Sequence, residues 1–422
     1  MSVVVEHVAC PFCGCLCDDL SVEAEGERVV KVRRACSNGQ GVFREYDPSP
    51  RRPTLEGREV EWDEAVRAAA EILDAADSPL IYGLSSSAVE AQRKAVELAD
   101  RIGAVIDSTS SVCHGPTGLA MQAVGEATCT LGEVRDRADL LLFWGCNPEA
   151  SHLRHFRRYS AAAEGAQTPN GRKDRTVVAV DVRPTDTTAK ADIFLQVDAG
   201  ADFEVLTTLR LLVAGRTPAA DAVGGVAFSD LTALVERMTS CRYGVAFMGM
   251  GLTMTPARQM NVAELFTLVA ELNAHTRFSV LPMRGHGNVT GADQVLTWLS
   301  GYPFAVSFAR GYPQFSPGEF TAVDMLARRA ADAAVIIASD PGAHLPARAA
   351  RYLERIPTIL LDHGSSVTAE MARIVFPTAA YGVDAAGTAY RMDGVPIPLT
   401  ECISTGRPTD EDVLTQLLEA VT

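Results

Sequence analysis

Hydrophobic and polar positions follow different patterns before and after the proline-rich stretch YDPSPRRP (46–53). Before it, LSVEAEGERVVKVRRAC (20–36) alternates apolar and polar residues around Gly26, which predicts a β-hairpin in a small β-rich unit at 1–52. After it, helix-period segments alternate with short apolar runs such as ADLLLFWG (138–145). This alternation predicts α/β layers built on parallel sheets.

Three blocks of the α/β region occur twice in the same order. ADLLLFWGCNPEASHL resembles DAAVIIASDPGAHL, and VVAVDVRPTDTTAKADIFLQV resembles TILLDHGSSVTAEMARIVFPT. Upstream of these, the segment starting LIYGLSSS parallels the one starting YGVAFMGM. Any two βαβ units share such features, so general similarity is the alternative, but the common order of three blocks favours duplication. We therefore predict two pseudo-symmetric Rossmann-like domains, one discontinuous at 53–112 and 285–422, and one inserted into it at 113–284.

The loops after the strands are where open parallel sheets bind ligands, because helix N-termini and free amides gather there. Two copies of a nucleotide-type loop predict two similar ligands, or one ligand bound twice. Each copy also carries a short polar turn, SSVCHGPTG (110–118) in one and LPMRGHGNVTG (281–291) in the other. If the two copies face each other, Cys113 and His114 lie across one cleft from Arg284.

Composition and charge exclude several classes of protein. The chain has 422 residues and a formal net charge of −15, which argues against nucleic acid as a partner because phosphate binding needs clustered cations. No apolar run approaches the roughly 18 residues that span a bilayer, so no membrane partner is expected. The N-terminal MSVVVEHVACPFC has neither a basic leader nor twin arginines, which predicts a cytoplasmic protein.

Four cysteines are concentrated in the segment CPFCGCLCDDL, and a fifth follows at some distance. This spacing suits a [4Fe–4S] cluster, because a short loop can wrap three corners while a distant segment supplies the fourth. The predicted ligands are Cys10, Cys13, Cys17 and Cys36. Structural zinc is the first alternative, although zinc sites usually take two short paired hooks, and an empty relic of either site is the second. Cys15 is expected to remain unligated.

The remaining cysteines divide into one loop residue and four in periodic segments. Cys113 precedes His114 in a loop, so helix or strand packing does not explain it. An isolated loop cysteine is often inert, but the position opposite Arg284 in the repeat favours a functional thiolate. The other four follow strand or helix patterns and are expected to be buried hydrophobic residues. These are Cys129, Cys146, Cys241 and Cys402.

Taken together, these residues resemble the molybdopterin-dependent oxidoreductases, and within them the B subunit of the tungsten or molybdenum formylmethanofuran dehydrogenases. The similar segments are CPFCGCLCDDL, VCHGP, LGEVRDRADLLLFWGCNPEASHLRHFRRYS and RGHGNVTGADQVLTWLSGYPFAVSFARGYPQFSPGEFTAVD. The resemblance covers essentially the whole chain, and the two longer segments are highly specific.

The resemblance implies tungsten or molybdenum held by two molybdopterin guanine dinucleotides, with Cys113 as a protein ligand of the metal. A [4Fe–4S] cluster on the four predicted cysteines would pass electrons to the metal, which would reduce CO2 reversibly to formate. Arg284 would orient the carboxylate by a forked, charge-assisted contact. His114 would exchange a proton or, as the alternative, form a hydrogen bond that only positions Cys113.

The two dinucleotides would account for the duplicated loops, and side chains at the strand ends are their expected contacts. In the first copy these are Gly145, Asn147, Asp181, Arg183, Thr185 and Asp202, and in the second copy they are Gly285, Asn288, Ser339, Asp340, Asp362, Thr368 and Gly387. Acidic side chains at such positions accept hydrogen bonds from sugar hydroxyls or from a guanine edge. The alternative for the Asp and Thr residues is that they cap helices.

Two departures from the family pattern affect the expected electron route and assembly. Asn38 stands where many relatives have a lysine that links cluster to pterin, so the electron route needs another mediator. The chain also stops at Thr422, without the C-terminal β-barrel that closes over the pterins in single-chain relatives. The resemblance therefore implies obligate assembly. The implied partners are a hydrolase-type A subunit that condenses formate with methanofuran, a C subunit, a β-barrel D subunit that caps the pterins, and a ferredoxin-type electron carrier.

Two other functions fit the same residues. The first is a non-redox scaffold, as in the B subunit of a formyltransferase/hydrolase complex of aerobic C1 metabolism. The retained cysteines, His114 and Arg284 speak against it, because a scaffold needs no reactive thiolates. The second is a formate dehydrogenase that serves another electron carrier. Tungsten and molybdenum accept the same ligands, so the residues fit either metal.

Overall fold

The computed structural model describes residues 2–422 of the chain, whose strands form five sheets. In chain order the strands are β1 (Ser2–Val8), β2 (Leu20–Glu25), β3 (Arg28–Arg33), β4 (Thr54–Leu55), β5 (Arg58–Glu59), β6 (Pro79–Gly83), β7 (Val105–Ser108), β8 (Leu140–Trp144), β9 (Thr176–Asp181), β10 (Ile193–Gln196), β11 (Ala222–Val223), β12 (Val226–Ala227), β13 (Tyr243–Met248), β14 (Arg277–Pro282), β15 (Val306–Ser307), β16 (Gln314–Phe315), β17 (Ala333–Ile337), β18 (Thr358–Asp362), β19 (Ile374–Pro377), β20 (Gly387–Tyr390) and β21 (Pro396–Leu399).

The helices come between these strands, as the sequence periodicity predicts. In chain order they are α1 (Ser37–Arg44), α2 (Trp62–Asp74), α3 (Val89–Arg101), α4 (Gly115–Val124), α5 (Leu131–Arg137), α6 (Pro148–Ser151), α7 (His155–Arg158), α8 (Asp202–Val213), α9 (Phe228–Ser240), α10 (Met250–Thr253), α11 (Gln259–Leu272), α12 (Val289–Ser300), α13 (Ala322–Arg328), α14 (Pro341–His344), α15 (Ala347–Leu353), α16 (Val367–Met371) and α17 (Asp410–Ala420). Within the described residues, none of these helices combines the length and the apolar character that crossing a membrane requires.

The chain divides into two compact units, and the larger comprises residues 2–112 and His286–Thr422. Its nine-stranded sheet has the order β16-β15-β7-β6-β17-β18-β19-β4-β5, in which the five strands from β7 to β19 are parallel. Ile81 packs into the core on the face covered by α2, α3, α12 and α17. Its neighbours Leu80 and Tyr82 pack on the opposite face, against α13 and α15, because side chains alternate along a strand. Both faces are therefore buried, which explains the continuous apolar runs of these strands.

The smaller unit, Cys113–Gly285, contains a five-stranded sheet of order β14-β13-β8-β9-β10, with parallel neighbours throughout. The parallel strands of the larger unit follow the same order, β7-β6-β17-β18-β19. In it, β7 corresponds to β14, β6 to β13, β17 to β8, β18 to β9 and β19 to β10. The prediction of an α/β protein with parallel sheets is confirmed. The predicted hairpin is also present, since β2 and β3 pair antiparallel around Gly26. Residues 2–52 belong to the larger unit, and their being a separate [4Fe–4S] domain stays a prediction.

Equivalent aspartates join equivalent strands in the two units. Asp139, at the start of β8, accepts a hydrogen bond of 2.9 Å from the backbone N–H of Tyr243, which begins β13. Asp332, at the start of β17, accepts one of 2.9 Å from the backbone N–H of Ser78, just before β6. Each carboxylate therefore satisfies an amide that the ladder leaves unpaired where a strand begins. The shared device is what duplication of one βαβ arrangement would produce.

His155 in α7 makes stability depend on pH. Its ring packs edge-on against Phe247 at 4.7 Å between centroids, and burial lowers its pKa to about 3. Since the unfolded pKa is about 6.5, the stability that the neutral ring contributes is complete above that pH and is lost as the pH falls toward 3. Between pH 7.5 and pH 5, we expect the free energy of unfolding to fall by about 2 kcal/mol less in His155→Phe than in the wild type. This follows from about 1.4 kcal/mol per pH unit below pH 6.5.

Urea unfolding at the two pH values measures this difference. His275→Gln, at an exposed histidine, is the matched control and should keep the pH dependence of the wild type. Equal losses in the wild type and in His155→Phe would contradict the assignment.

Candidate functional site

The carboxyl edge of the five-stranded sheet brings two strand-end loops into backbone contact. Gly145 follows β8 with φ of +56°, and a Cβ at this position would lie 2.8 Å from the backbone carbon of Gly251. The Gly251 amide donates to the Gly145 carbonyl oxygen at 2.9 Å. Only glycine accommodates both the left-handed backbone and this approach. The loops after β8 and β13 are thereby held together at the edge where parallel sheets bind ligands.

Cys113 is attached to the same edge through its backbone. Its carbonyl oxygen accepts a hydrogen bond of 3.0 Å from the Oγ1 of Thr253, the last residue of α10 after β13. Thr253 is fully buried, whereas Cys113 is partly exposed. The backbone of Cys113 is thus held in place by a hydrogen bond just before α4, and the residue stays partly exposed.

His114 uses both of its ring nitrogens within the protein. Nδ1 lies 3.1 Å from the Oγ1 of Thr117, and Nε2 lies 3.2 Å from the carbonyl oxygen of Met283. The carbonyl can only accept, so Nε2 donates and Nδ1 accepts from the threonine hydroxyl. Burial, helped by the nearby charge of Arg284, lowers the pKa of His114 to about 3. The imidazole is therefore neutral and hydrogen-bonded on both sides, a geometry that favours the positioning alternative over proton exchange.

Arg284 follows β14 and Met283 and is buried, with 6% of its surface exposed. Its carbonyl oxygen accepts a hydrogen bond of 2.9 Å from Nε2 of His152, which lies in the loop after β8. The Nδ1 of His152 lies 2.8 Å from the Oγ of Ser151, and burial lowers the pKa of this histidine as well. Cys113, His114 and Arg284 therefore belong to one unit and converge on the carboxyl edge of its sheet.

Glu126 is a residue of this region that no sequence pattern indicated. It lies just after α4, and burial raises the pKa of its carboxyl to about 7, although the charge of Arg284 acts in the opposite direction. Its Oε1 is buried and has no hydrogen-bond partner among residues 2–422. An acidic residue between Gly125 and Ala127 in a polar loop is typical of solvated surface in a sequence, and only the packing places it near Arg284.

The dinucleotide candidates of the smaller unit have different environments. Oδ1 of Asn147 accepts hydrogen bonds from the amide and the hydroxyl of Thr187, at 3.1 and 2.7 Å. Thr185 instead exchanges hydrogen bonds with Thr188. The threonine that joins the two strand-end loops is thus Thr187, which the sequence prediction missed. Aligning the two repeat copies on the aspartates that end β9 and β18 would have found it, because it falls at the position of Thr368.

Asp202 is the most deeply buried of these candidates. Its Oδ1 accepts a hydrogen bond of 2.8 Å from Nε1 of Trp144, while Oδ2 has no partner in the described part of the chain. Burial raises the pKa of Asp202. By contrast, Asp181 is partly exposed and accepts from the neighbouring amide of Val182 at 2.8 Å, and Arg183 is exposed. A buried acceptor oxygen without a partner is the feature expected where a ligand donor binds.

Asp340 and Thr368 in the larger unit repeat the contact of Asn147 and Thr187. The carboxylate of Asp340 accepts hydrogen bonds from the Thr368 amide at 2.8 Å and hydroxyl at 2.7 Å. Thr368 lies in the first turn of α16, whose N-cap is Ser366, and Asp340 accepts from first-turn amides of that helix from another loop. The contact between a strand-end side chain and a threonine of the next loop thus recurs in both units.

The other candidates of this group are more dispersed. Asn288 is fully buried, with Nδ2 donating to the Ser87 carbonyl at 2.7 Å and Oδ1 accepting from the Tyr390 amide at 2.7 Å. Ser339 and Asp362 are partly exposed at the ends of β17 and β18, Gly387 begins β20, and Gly285 is an exposed residue of the smaller unit. Asn288 is thus occupied by backbone contacts, whereas the strand-end residues stay accessible.

The cysteine-rich loop of the larger unit is anchored by buried contacts. The Cys10 amide donates to the Cys17 carbonyl at 2.9 Å, and Leu16 is fully buried in a hydrophobic cluster with Tyr381. The Tyr381 hydroxyl donates to the Pro11 carbonyl at 2.5 Å. These contacts fold the loop back on itself, which brings the backbone of Cys10 next to that of Cys17.

Cys36 meets this loop at the start of α1. A Cβ added to Gly39 would lie 2.9 Å from the Cys10 sulfur and 3.8 Å from the Cys36 sulfur. Burial raises the pKa of Cys10, and the charges of Cys13, Cys17 and Cys36 raise it further, so the four thiols share one electrostatic environment. Cys15 is fully buried and lowers the pKa of Cys13 by donating a hydrogen bond.

Across residues 2–422, no three Cys, His, Asp or Glu side chains are close enough to hold a single metal ion. Ligands of a four-iron cluster bind four different irons and are spaced more widely than ligands of one ion. The assignment of the four cysteines to a [4Fe–4S] cluster, with structural zinc as the alternative, stays a prediction. Of the cysteines expected to be buried, Cys129 and Cys402 are buried, but Cys146 and Cys241 are partly exposed because each lies at the end of its element.

The sequence is 44% identical to the B subunit of tungsten-containing formylmethanofuran dehydrogenase 2 from Methanocaldococcus jannaschii, covering 100% of this chain and 99% of that protein. It is 40% identical to the protein of the same description from Methanococcus maripaludis, covering 99% of each. The chain belongs to the B-subunit family of the formylmethanofuran dehydrogenases. The resemblance drawn from the motifs is thus confirmed. No known protein-family profile matches the chain.

More distant relatives of the chain include a member of a different complex. The B subunit of the formyltransferase/hydrolase complex Fhc of Methylorubrum extorquens is 28% identical, over 80% of this chain and 87% of that protein. The crystal structure of that complex with methylofuran contains a chain that superposes with a TM-score of 0.72 and 26% identity, covering 87% of this chain and 98% of its own length. Acetylene hydratase from Pelobacter acetylenicus shares the fold, with a TM-score of 0.69 and 12% identity over 99% of this chain and 69% of the other.

Proposed function

We propose that the chain is the catalytic subunit of a formylmethanofuran dehydrogenase and that it reduces CO2 reversibly to formate. The reaction, CO2 + H+ + 2 e− → HCOO−, needs a two-electron centre, a cation beside the carboxylate and a path for one proton. The observation that carries the proposal is that Cys113, His114 and Arg284 converge at one sheet edge in a chain 44% identical to a tungsten-containing relative.

Cys113 is the residue that would bind the metal. Its backbone is held by Thr253, and the residue is partly exposed. A soft thiolate suits a sulfur-ligated tungsten or molybdenum ion, and the name of the relatives favours tungsten. Bound there, the metal with its two molybdopterin guanine dinucleotides would supply two-electron chemistry at an open coordination position.

The strand-end loops of both units would hold the two dinucleotides. The buried Oδ2 of Asp202 supports this, since an N–H or O–H group of a ligand would satisfy it. The repeated loop contacts, Asn147 to Thr187 and Asp340 to Thr368, would keep equivalent loops in equivalent shapes. The proposed contacts are Gly145, Asn147, Asp181, Arg183, Thr185 and Asp202 in one copy and Gly285, Asn288, Ser339, Asp340, Asp362, Thr368 and Gly387 in the other.

A [4Fe–4S] cluster on Cys10, Cys13, Cys17 and Cys36 would deliver the electrons. The close approach of the Cys10 and Cys36 sulfurs to Gly39 supports this assignment. The electrons would come from a ferredoxin-type carrier, one at a time. Since Asn38 replaces the usual lysine, we propose that the segment after Arg284 mediates the transfer, because His286 forms a backbone bridge with Cys13.

Within this site, Arg284 would bind the carboxylate of formate and offset its charge as it forms. His114 would hold the backbone of Met283, next to Arg284, in place through its Nε2–H, and so fix the two sides of the site relative to each other. The formate would then pass to a hydrolase-type A subunit, while a C subunit and a β-barrel D subunit that covers the pterins would complete the complex. The charge and composition fit a protein without nucleic-acid partners.

A second candidate function is a non-redox scaffold, favoured by the similarity to the B subunit of the formyltransferase/hydrolase complex. The two candidates differ in what the protein must contain. A scaffold has no use for the sulfurs of Cys10 and Cys36 close to Gly39 or for an arginine buried in the same unit as Cys113.

Elemental analysis of the purified complex tests the two candidates. We expect about four irons per copy of this chain beyond those of other subunits, about one tungsten, and guanine nucleotide released by acid, together with formate formation from CO2 by a reduced low-potential carrier. Protein purified without tungsten, molybdenum or guanine nucleotide would overturn the catalytic proposal and leave the scaffold.

A further inference from the structure

The proposed reaction moves one proton for each CO2, and the histidine beside Cys113 is poorly placed to carry it. Nδ1 of His114 accepts from Thr117 and Nε2 donates to the Met283 carbonyl. His152 is similarly engaged, by Ser151 and by the Arg284 carbonyl. Each ring would have to break a buried hydrogen bond before it could take or release a proton, which leaves a buried group unsatisfied.

We infer that Glu126 is the proton-transfer residue of this site, relaying the proton between the space beside Arg284 and solvent. The inference rests on the proposed function and concerns the same site. Glu126 is neither a metal ligand nor a substrate-binding residue in this scheme. It returns to its starting protonation state in each turnover.

The geometry supports a carboxyl group that can change protonation without rearrangement. Oε1 of Glu126 is buried and has no partner in the described part of the chain, so no hydrogen bond has to break when it gains or loses a proton. The residue as a whole is only partly buried and lies between the exposed residues Gly125 and Ala127, so its loop borders solvent. The loop is pinned because the Val280 amide donates to the Ala127 carbonyl at 2.9 Å, next to the end of α4.

Electrostatics tune the same group. Burial raises the pKa of Glu126 to about 7, and among the described charged groups Arg284 is the one that acts on it, in the lowering direction. A carboxyl group whose pKa lies near the working pH can both donate and accept a proton readily. In CO2 reduction the proton of Glu126 passes to the carbon of CO2 beside Arg284, the two electrons from the ferredoxin-type carrier complete the C–H bond of formate, and Glu126 is reprotonated from solvent. In formate oxidation the proton and the electrons move in reverse.

Glu126→Gln in the intact complex tests the inference, and Glu236→Gln, at an exposed residue of the same unit, is the matched control. We expect kcat for formate oxidation and CO2 reduction to fall by about 100-fold or more, as for loss of a positioned acid–base group, with KM for formate unchanged. The limb of the pH profile near pH 7 should disappear. Glu126→Asp, which keeps a carboxyl, should restore part of the rate.

Infrared titration gives a readout that does not depend on turnover. Wild-type complex should show a protonated carboxyl band that is lost near pH 7 and is absent from Glu126→Gln, and Arg284→Met should move that titration to higher pH. A Glu126→Gln complex with wild-type kcat and pH profile, or with a change in KM alone, would overturn the inference. If the wild-type complex contains no tungsten and makes no formate but the infrared band titrates near pH 7, the proposed function fails and the proton-exchanging carboxyl stands.

Discussion

Replacing Cys113 with alanine is expected to abolish formate formation by the complex while leaving the protein folded. Loss of groups that merely support a metal ligand typically costs about 10- to 100-fold in metal affinity or activity, so loss of the ligand itself should exceed about 100-fold. The residue is partly exposed, and the contact that fixes the loop is made by the backbone carbonyl to Thr253. Formate production and tungsten content per complex are the measurements.

The matched control for this variant is Cys146→Ala, which removes another thiol from a partly exposed residue of a strand-end loop in the same unit. It should retain tungsten and activity, because its Sγ–H makes one weak hydrogen bond, of 3.6 Å, to the Phe247 carbonyl. Iron content should be unchanged in both variants, since the predicted cluster ligands lie elsewhere. Full activity and full tungsten content in Cys113→Ala would refute the metal-ligand assignment.

Replacing Asp107 with alanine should destabilise the larger unit by about 3–5 kcal/mol, the largest stability effect that we expect. Asp107 is fully buried at the end region of β7, where its carboxylate accepts from the Ala305 amide at 3.1 Å, the Ala322 amide at 2.7 Å and the Ser111 hydroxyl at 2.7 Å. Alanine leaves two buried amides unsatisfied, at roughly 1–3 kcal/mol each, and opens a cavity. Denaturant unfolding measures the loss.

Ser111→Ala is the control, because it removes one of the three donors and leaves the carboxylate in place. It should cost only about 1 kcal/mol, the usual net value of one hydrogen bond. The comparison separates the role of the carboxylate from general sensitivity of this loop. A loss below about 1 kcal/mol for Asp107→Ala would mean that water reaches the two amides, and the buried role of Asp107 would be wrong.

The sequence predicted many of the residues that form the site, but it did not predict what each of them does. Cys113, His114 and Arg284 were selected from two polar turns, and the structure places all three in one unit, on the loops at one sheet edge. The role of His114 could not be predicted, since the acceptor of its Nε2 is a carbonyl 169 residues away. Proton exchange and positioning are indistinguishable until that contact is known.

The dinucleotide candidates show the same limit. Asp340 and Asn147 resemble ligand-binding residues in sequence, yet their side-chain oxygens hold threonines of a neighbouring loop. No sequence pattern indicated Glu126, because the burial of a carboxyl group in a loop depends on which distant residues pack over it. Helix caps and ligand contacts use the same residue types at the same strand ends, so spacing does not separate them.

By itself, the sequence determined the parallel α/β architecture, the hairpin at Gly26, the duplicated order of strands and the family. These follow from periodicity, turn residues and motif spacing, which are local properties that a linear pattern records. Only the tertiary structure decided which polar atoms are already satisfied and which are left for a ligand or a proton. Burial and hydrogen-bond saturation depend on contacts between distant segments, such as those of His114 with Met283 and of Asp107 with Ala305 and Ala322.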